Sequence, residues 1–131
     1  MNIVLWILQI LLAIQFSFHG WLFLSPPANL AEQITTTFSP AFRYFLGIAE
    51  LLAGIGLVLP SATRIMPWLT PLAAVGIMII LGSAAVFHLL RGEISSAITT
   101  AIMFIIASFV AYMRWRVKPI SARQTVSRSL R

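Results

Sequence analysis

Residues 40–60 read PAFRYFLGIAELLAGIGLVLP, an apolar run with a proline at each end and two charged side chains, Arg43 and Glu50, inside it. About 20 apolar residues in a helix cross the roughly 30 Å hydrocarbon core of a bilayer. Proline is tolerated in the first turn of a helix and disfavoured further along. This run therefore predicts a membrane-spanning helix over 40–59 that ends at Pro60.

Three further runs have a similar length and apolar character, at 3–24, 66–90 and 94–113. Short links between such runs favour antiparallel neighbours. We therefore predict an all-α fold, an integral membrane four-helix up-down bundle over 1–117. A basic and disordered cytoplasmic tail follows over 118–131. No basic residue precedes the first run and no small-residue cleavage pattern follows it, so we interpret it as a retained helix and not as a secretion signal.

The composition excludes several classes of function. Of the 131 residues 60% are hydrophobic and 9% charged, which leaves no soluble surface for a nucleic-acid groove. The net charge of +6 comes from the C-terminal end, where six of the nine basic residues lie after Met113. The expected partners are the lipid bilayer and, for this tail, anionic headgroups. The absence of cysteine excludes disulfides and thiol chemistry.

Basic residues near helix ends stay in the cytoplasm. Because Arg114, Arg116 and Lys118 follow the last predicted helix, the C-terminus is predicted to be cytoplasmic, and an even helix count places the N-terminus there too. We expect the cell inner membrane as the location. In the outer link 25–39, the apolar residues Leu30, Ile34 and Phe38 recur at four-residue spacing. A short amphipathic helix and an extended loop both fit this link.

Four ionisable residues lie within the predicted helices: His19, Arg43, Glu50 and His88. Such groups are costly in a bilayer unless paired or hydrated, which makes them candidates for ligand binding. Arg43, Gly47, Glu50 and Gly54 share one helix face, on which the glycines permit close packing. We expect a polar pocket that opens outward. Each of the four also has a structural interpretation. Glu50 could hold the helix packing together, and Arg43 could extend to the outer headgroups. His19 could form an interhelical hydrogen bond, and His88 could be hydrated at the membrane interface.

No catalytic set is apparent, and no intrinsic cofactor is predicted. Counting about 1.5 Å per residue from the outer helix ends places His19 about 7 Å deep, His88 about 3 to 5 Å deep and Glu50 near the middle of the bilayer. The unequal depths of the histidines argue against bis-imidazole haem ligation. A zinc site would require Glu50 to reach a histidine from well below, so no metal is predicted.

Three stretches resemble the DoxX-like family of small bacterial membrane proteins, and together they extend over the four-helix body. They are Phe18-His19-Gly20 continuing to Pro27, Arg43 to Glu50 continuing to Leu59-Pro60, and Val86 to Glu93. Many members of the family carry a lysine shortly after the glycine of the first helix, where this chain has Phe23. A function that needs a cation at that position is therefore not carried over.

The resemblance implies the four-helix fold and an association with oxidoreductase complexes, among them a thiosulfate-oxidising system with quinone as acceptor. Our first hypothesis is a membrane component of a redox system that binds a quinone or similar lipophilic molecule in the outer pocket. Distant relatives resemble membrane chaperones. The face of Gly47 and Gly54 and the basic tail favour an alternative, a non-enzymatic assembly factor, chaperone or scaffold that contacts a partner's transmembrane helix. The partner is another membrane protein or a second copy of the chain.

Overall fold

The computed structural model of the chain describes residues 1–124, which form five α-helices and one π-helical turn. Four of the helices are long and apolar enough to cross a membrane. The predicted all-α bundle of four long apolar helices is therefore confirmed. The elements are α1 (Asn2–Leu24), α2 (Ala28–Thr37), α3 (Pro40–Thr63), α4 (Leu69–Leu90), α5 (Ile94–Tyr112) and the π turn (Met113–Val117).

Helix α3 begins as the sequence predicts but ends later. Ser39 is its N-cap, and the Ser39 hydroxyl accepts a hydrogen bond from the backbone N–H of Phe42 at 3.3 Å. The prediction that the helix ends at Pro60 is wrong, because α3 continues to Thr63. A proline so near the end removes only one backbone hydrogen bond. The last turn is held by the Thr63 hydroxyl, which donates to the carbonyl of Leu59 at 2.8 Å.

The other predicted boundaries shift by a few residues. Arg64 and Met66 have positive φ angles of 58° and 49°, so the chain turns there and α4 begins at Leu69 and not at residue 66. The last helix continues through the π turn to Val117. Residues 118–124 lie outside regular helix, and the Arg123 N–H donates to the carbonyl of Arg64 at 2.9 Å. The rest of the tail predicted to be disordered, 125–131, lies outside the described residues.

The outer link contains a helix, which settles the two alternatives for 25–39 in favour of the amphipathic helix. Helix α2 buries none of its residues and is attached through Phe38, which directly follows it. The Phe38 ring lies 5.4 Å from the ring of Phe23 in α1 and 5.6 Å from that of Phe87 in α4. Phe38 therefore attaches the end of α2 to α1 and α4.

The long helices pack in chain order around one core. Helix α1 packs on α3, α3 on α4 and α4 on α5, while α1 and α5 touch less extensively. Helices α1 and α4 are therefore diagonal to each other. Each long helix contributes a fully or almost fully buried side chain to the core: Leu12, Leu57, Ile77 and Val110. The exterior carries many exposed apolar side chains, as expected for a multi-pass membrane protein.

Candidate ligand-binding site

A cavity of about 280 Å³ lies between α1, α3, α4 and α5, and three of the four predicted ligand-binding residues line it. These are His19, Glu50 and His88. Hydroxyl and amide groups and an apolar wall complete the lining, which consists of Gln15, Phe16, Ile80, Leu81, Ala84, Ser95, Ser96, Thr99, Thr100 and Met103. The cavity thus combines a few polar groups with apolar walls, as small-molecule sites do.

His19 and Glu50 form a direct pair across α1 and α3. The Nδ1 atom of His19 lies 2.7 Å from Oε2 of Glu50, whose residue is 1% exposed, while the His19 side chain is 46% exposed. The prediction that Glu50 lies well below the histidines is therefore wrong for His19. Counting depth from helix ends assumed that the ends are level. In fact α1 crosses α3 with Gly20 directly beside Glu50.

Glycines make this crossing possible. A Cβ atom built on Gly20 would lie 2.7 Å from the carbonyl oxygen of Gly47, and one on Gly47 would lie 2.9 Å from that of Gly20. One on Gly54 would lie 2.5 Å from the Ser17 hydroxyl. The structure thus places Gly47 and Gly54, the predicted packing positions, against α1. Because the backbones approach so closely, the Glu50 carboxylate reaches the imidazole.

His88 is paired in a similar way on the opposite side. Its Nδ1 atom lies 2.5 Å from Oε2 of Glu93, and the Arg91 Nε donates to Oε1 of the same carboxylate at 2.8 Å. The hydrogen bond from Arg91, and after it the one from His88, holds the pKa of Glu93 below its ordinary value of 4.5. Gly92, with a φ angle of 72°, makes the turn that brings Glu93 back to His88.

Sequence reasoning did not assign Glu93 to the site, although it stands five residues after His88. The sequence did contain an indication of this contact, because Glu93 follows His88 across an Arg-Gly turn between two predicted helices. Only the left-handed turn at Gly92 shows that the side chain folds back.

Helix α5 supplies hydroxyl groups to the cavity. The Thr99 hydroxyl donates to the carbonyl of Ser95 at 3.0 Å, and the Thr100 hydroxyl to that of Ser96 at 2.7 Å. Because these hydrogens are used within the helix, the oxygen lone pairs remain as acceptors toward the cavity.

Aromatic rings form a continuous layer from one histidine to the other. The His19 ring lies 4.9 Å from that of Phe23, and the Phe87 ring lies 5.8 Å from that of His88. Phe38 bridges the two phenylalanines. We call Phe23, Phe38 and Phe87 the aromatic roof.

Arg43, the fourth predicted ligand-binding residue, does not line the cavity. Its guanidinium lies 4.6 Å from the centre of the Tyr44 ring. Within residues 1–124 its Nε atom is buried without a hydrogen-bond partner, and no hydrogen bond joins it to Glu50. The structure therefore separates Arg43 from the other three.

A second polar cluster lies at the other end of the bundle, and the sequence analysis did not predict it. Arg114 is 3% exposed, and its Nε donates to Oε1 of Gln9 at 2.5 Å while Nη1 donates to Oδ1 of Asn2 at 2.8 Å. The Gln9 amide nitrogen in turn donates to the carbonyl of Leu57 at 2.7 Å. The sequence indicated Arg114 only as a flanking basic residue, and Gln9 within the first apolar run was the available indication of a buried partner.

Within the described residues, no group of three or more His, Asp or Glu side chains is placed to hold a metal ion. A family model described as the DoxX-like family matches residues 7–110, which include the whole cavity lining. No curated protein and no solved structure matches the chain.

Proposed function

The chain belongs to the DoxX-like family, and from that premise we propose that it is a membrane component of a redox system that binds a quinone or similar lipophilic small molecule in the cavity. The observation that carries the proposal is the convergence of two carboxylate-anchored imidazoles on one cavity inside an apolar bundle. Burying the Glu50 carboxyl group in the bundle costs free energy that packing alone does not require.

The lining and volume of the cavity suit a ring-shaped head group with a lipophilic tail. Phe16, Leu81 and Met103 provide apolar walls for a ring, and the histidines provide hydrogen-bonding groups at its edges. A volume of about 280 Å³ is enough for a ring but small for a whole long-chain molecule. The tail would leave through the seam between α1 and α5, where contact is less extensive and Gln15 and Thr99 are exposed.

The predicted orientation places the cavity in the outer leaflet of the inner membrane. A chain without cysteine supplies no thiol or iron–sulfur centre of its own. The electrons that a bound quinone exchanges would therefore come from or go to another subunit of the redox system.

The alternative, a scaffold for a partner's helix, loses one of the two observations that favoured it, the glycine face. The face of Gly47 and Gly54 is occupied by α1 of the same chain. A partner helix would have to use another surface.

The test is titration of the purified protein in lipid nanodiscs with a short-chain prenylated quinone. Glu50→Gln keeps the side-chain volume but removes the carboxylate that anchors His19, and we expect it to weaken binding about tenfold, the effect of one hydrogen bond. Glu32→Gln, on the exposed face of α2, is the matched control and should bind as the native chain does. Absence of binding to the native chain, or equal binding by Glu50→Gln, would contradict the proposal.

A further inference from the structure

The two histidines that line the cavity are held through the same ring atom. Each imidazole is held through Nδ1, by Glu50 in one case and by Glu93 in the other. The polar atom that remains for a ligand is therefore Nε2 on both rings. Whether Nε2 donates or accepts depends on the proton at Nδ1 and on the total charge of each pair.

On the α4 side the charges are already balanced. Glu93 accepts from the Arg91 guanidinium at 2.8 Å, so this carboxyl group is ionised and the arginine offsets its charge. A carboxylate can only accept, and the His88 Nδ1 must therefore carry the hydrogen between them. With the Arg91–Glu93 pair neutral, a second proton on His88 would add a net positive charge at the membrane edge. The neutral ring leaves its Nε2 as an unprotonated acceptor.

On the α1 side the balance requires a proton. Glu50 is 1% exposed within a membrane-spanning helix, and neither an arginine nor a lysine bonds to it, since Arg43 lies over Tyr44. An ionised Glu50 beside a neutral His19 would leave an uncompensated negative charge in the bilayer. A His19–Glu50 pair without net charge holds one proton more than a neutral imidazole beside a carboxylate. When this proton lies in the 2.7 Å contact between the two groups, either as imidazolium with carboxylate or as a carboxylic acid that donates to Nδ1, Nε2 of His19 carries a hydrogen.

We infer that the two imidazoles have opposite roles toward the ligand, with His19 Nε2–H as a donor and His88 Nε2 as an acceptor. Because α1 and α4 are diagonal in the bundle, these groups approach the cavity from different sides. The inference rests on the proposed function and specifies its ligand: a lipophilic head group with a carbonyl-type oxygen on one side and a hydroxyl on the other. A half-reduced quinone has this pattern, and a hydroquinone also satisfies both groups. A fully oxidised quinone has no hydroxyl for His88.

Glu93 and Arg91 acquire a role as positioning residues, because they fix the tautomer of His88 without touching the ligand. Glu50 has the same role for His19.

The first test reads the tautomers without any ligand. Long-range 1H–15N correlation spectra of the protein with labelled imidazoles distinguish protonated from unprotonated ring nitrogens, and the chain has only two histidines to assign. We expect an unprotonated Nε2 on His88 and a protonated one on His19. Glu93→Ala should convert His88 to a mixture of tautomers and leave the His19 signals unchanged. A protonated Nε2 on His88, or an unprotonated Nε2 on His19, would overturn the inference.

The second test compares three probes under anaerobic conditions: a short-chain prenylated quinone, its hydroquinone and the hydroquinone dimethyl ether. His88→Phe should weaken hydroquinone binding about tenfold more than quinone binding, since only the former donates to His88. The ether, which has no donor, should bind the native chain about tenfold more weakly than the hydroquinone. Equal losses for quinone and hydroquinone would overturn the inference. If the tautomers are as expected but no probe binds, the proposed function fails and the assignment of the imidazoles stands.

Discussion

Gly20 and Gly47 determine how closely α1 approaches α3, and with it whether Glu50 reaches His19. A methyl group on Gly20 would meet the Gly47 carbonyl oxygen at 2.7 Å, a backbone atom that cannot move aside alone. We therefore expect Gly20→Ala to lower the free energy of unfolding by about 1–3 kcal/mol, the usual cost of overpacking. Thermal unfolding in detergent measures this.

Gly76→Ala is the matched control for that prediction. Nothing lies within 4 Å of a Cβ atom built on Gly76 in the middle of α4. Alanine is favoured over glycine in an open helix position by about 0.5–1 kcal/mol, so this variant should be neutral or more stable. Equal destabilisation by both variants would contradict the close crossing.

Gln9 and Arg114 are predicted to depend on each other. Gln9→Leu removes the acceptor of the buried Arg114 Nε, while Nη1 keeps its bond to Asn2. We expect the free energy of unfolding to fall by about 2–4 kcal/mol, because a buried charged donor then lacks an acceptor. Arg114→Met in the same chain should restore part of the loss, because no buried charge then remains. A double-mutant cycle by thermal unfolding checks this, with the exposed Arg116→Met as control. Strictly additive effects would mean that the two side chains do not interact.

At the level of elements, the turn between α4 and α5 should depend on pH through Glu93. Its pKa in the folded protein is below the ordinary 4.5, so ionised Glu93 stabilises the fold above that pH. The contribution is lost as the pH falls through the lower folded-state pKa. The difference in melting temperature between the native chain and Glu93→Gln should therefore shrink as the pH falls below about 4.5. A difference that grows on acidification would have the wrong sign.

The attachment of α2 through Phe38 predicts that the aromatic roof keeps aqueous reagents out of the cavity. Phe38→Ala removes the ring between Phe23 and Phe87 and should speed the reaction of His88 with a water-soluble acylating reagent. Mass spectrometry of the modified histidine measures the rate. Phe45→Ala, at an exposed position of α3, is the control. An unchanged rate would mean that the roof does not close the cavity.

At the scale of the whole molecule, the four spans could be predicted because length and hydropathy alone determine what crosses a bilayer. Ser39 and Pro40 likewise marked a helix start through local chemistry. The direct contact between Glu50 and His19 could not be predicted, because it depends on the relative heights of α1 and α3 in the bundle. The close packing of Gly20 on Gly47 determines these heights, and the sequence does not show which glycines meet. The burial of Arg114 was missed for the same reason, since its partner stands 105 residues earlier.

Orientation is a property of the whole chain that charge predicts, and the cysteine-free sequence allows a direct test. A single cysteine at exposed Gln33 should react with an impermeant maleimide in intact cells, because the charge rule predicts that α2 lies on the outer side. One at exposed Ser121 should react only after the membrane is permeabilised. The opposite pattern would place the cavity in the inner leaflet.

The most direct measurement is native mass spectrometry of the protein extracted gently from its own membrane, compared with Glu50→Gln and the Glu32→Gln control. We predict that a small lipophilic mass accompanies the native chain and the control and is lost from Glu50→Gln. If the native chain carries no small molecule, or if all three carry the same one, the cavity built around His19, Glu50 and His88 is not a ligand site and Glu50 is a structural lock between α1 and α3.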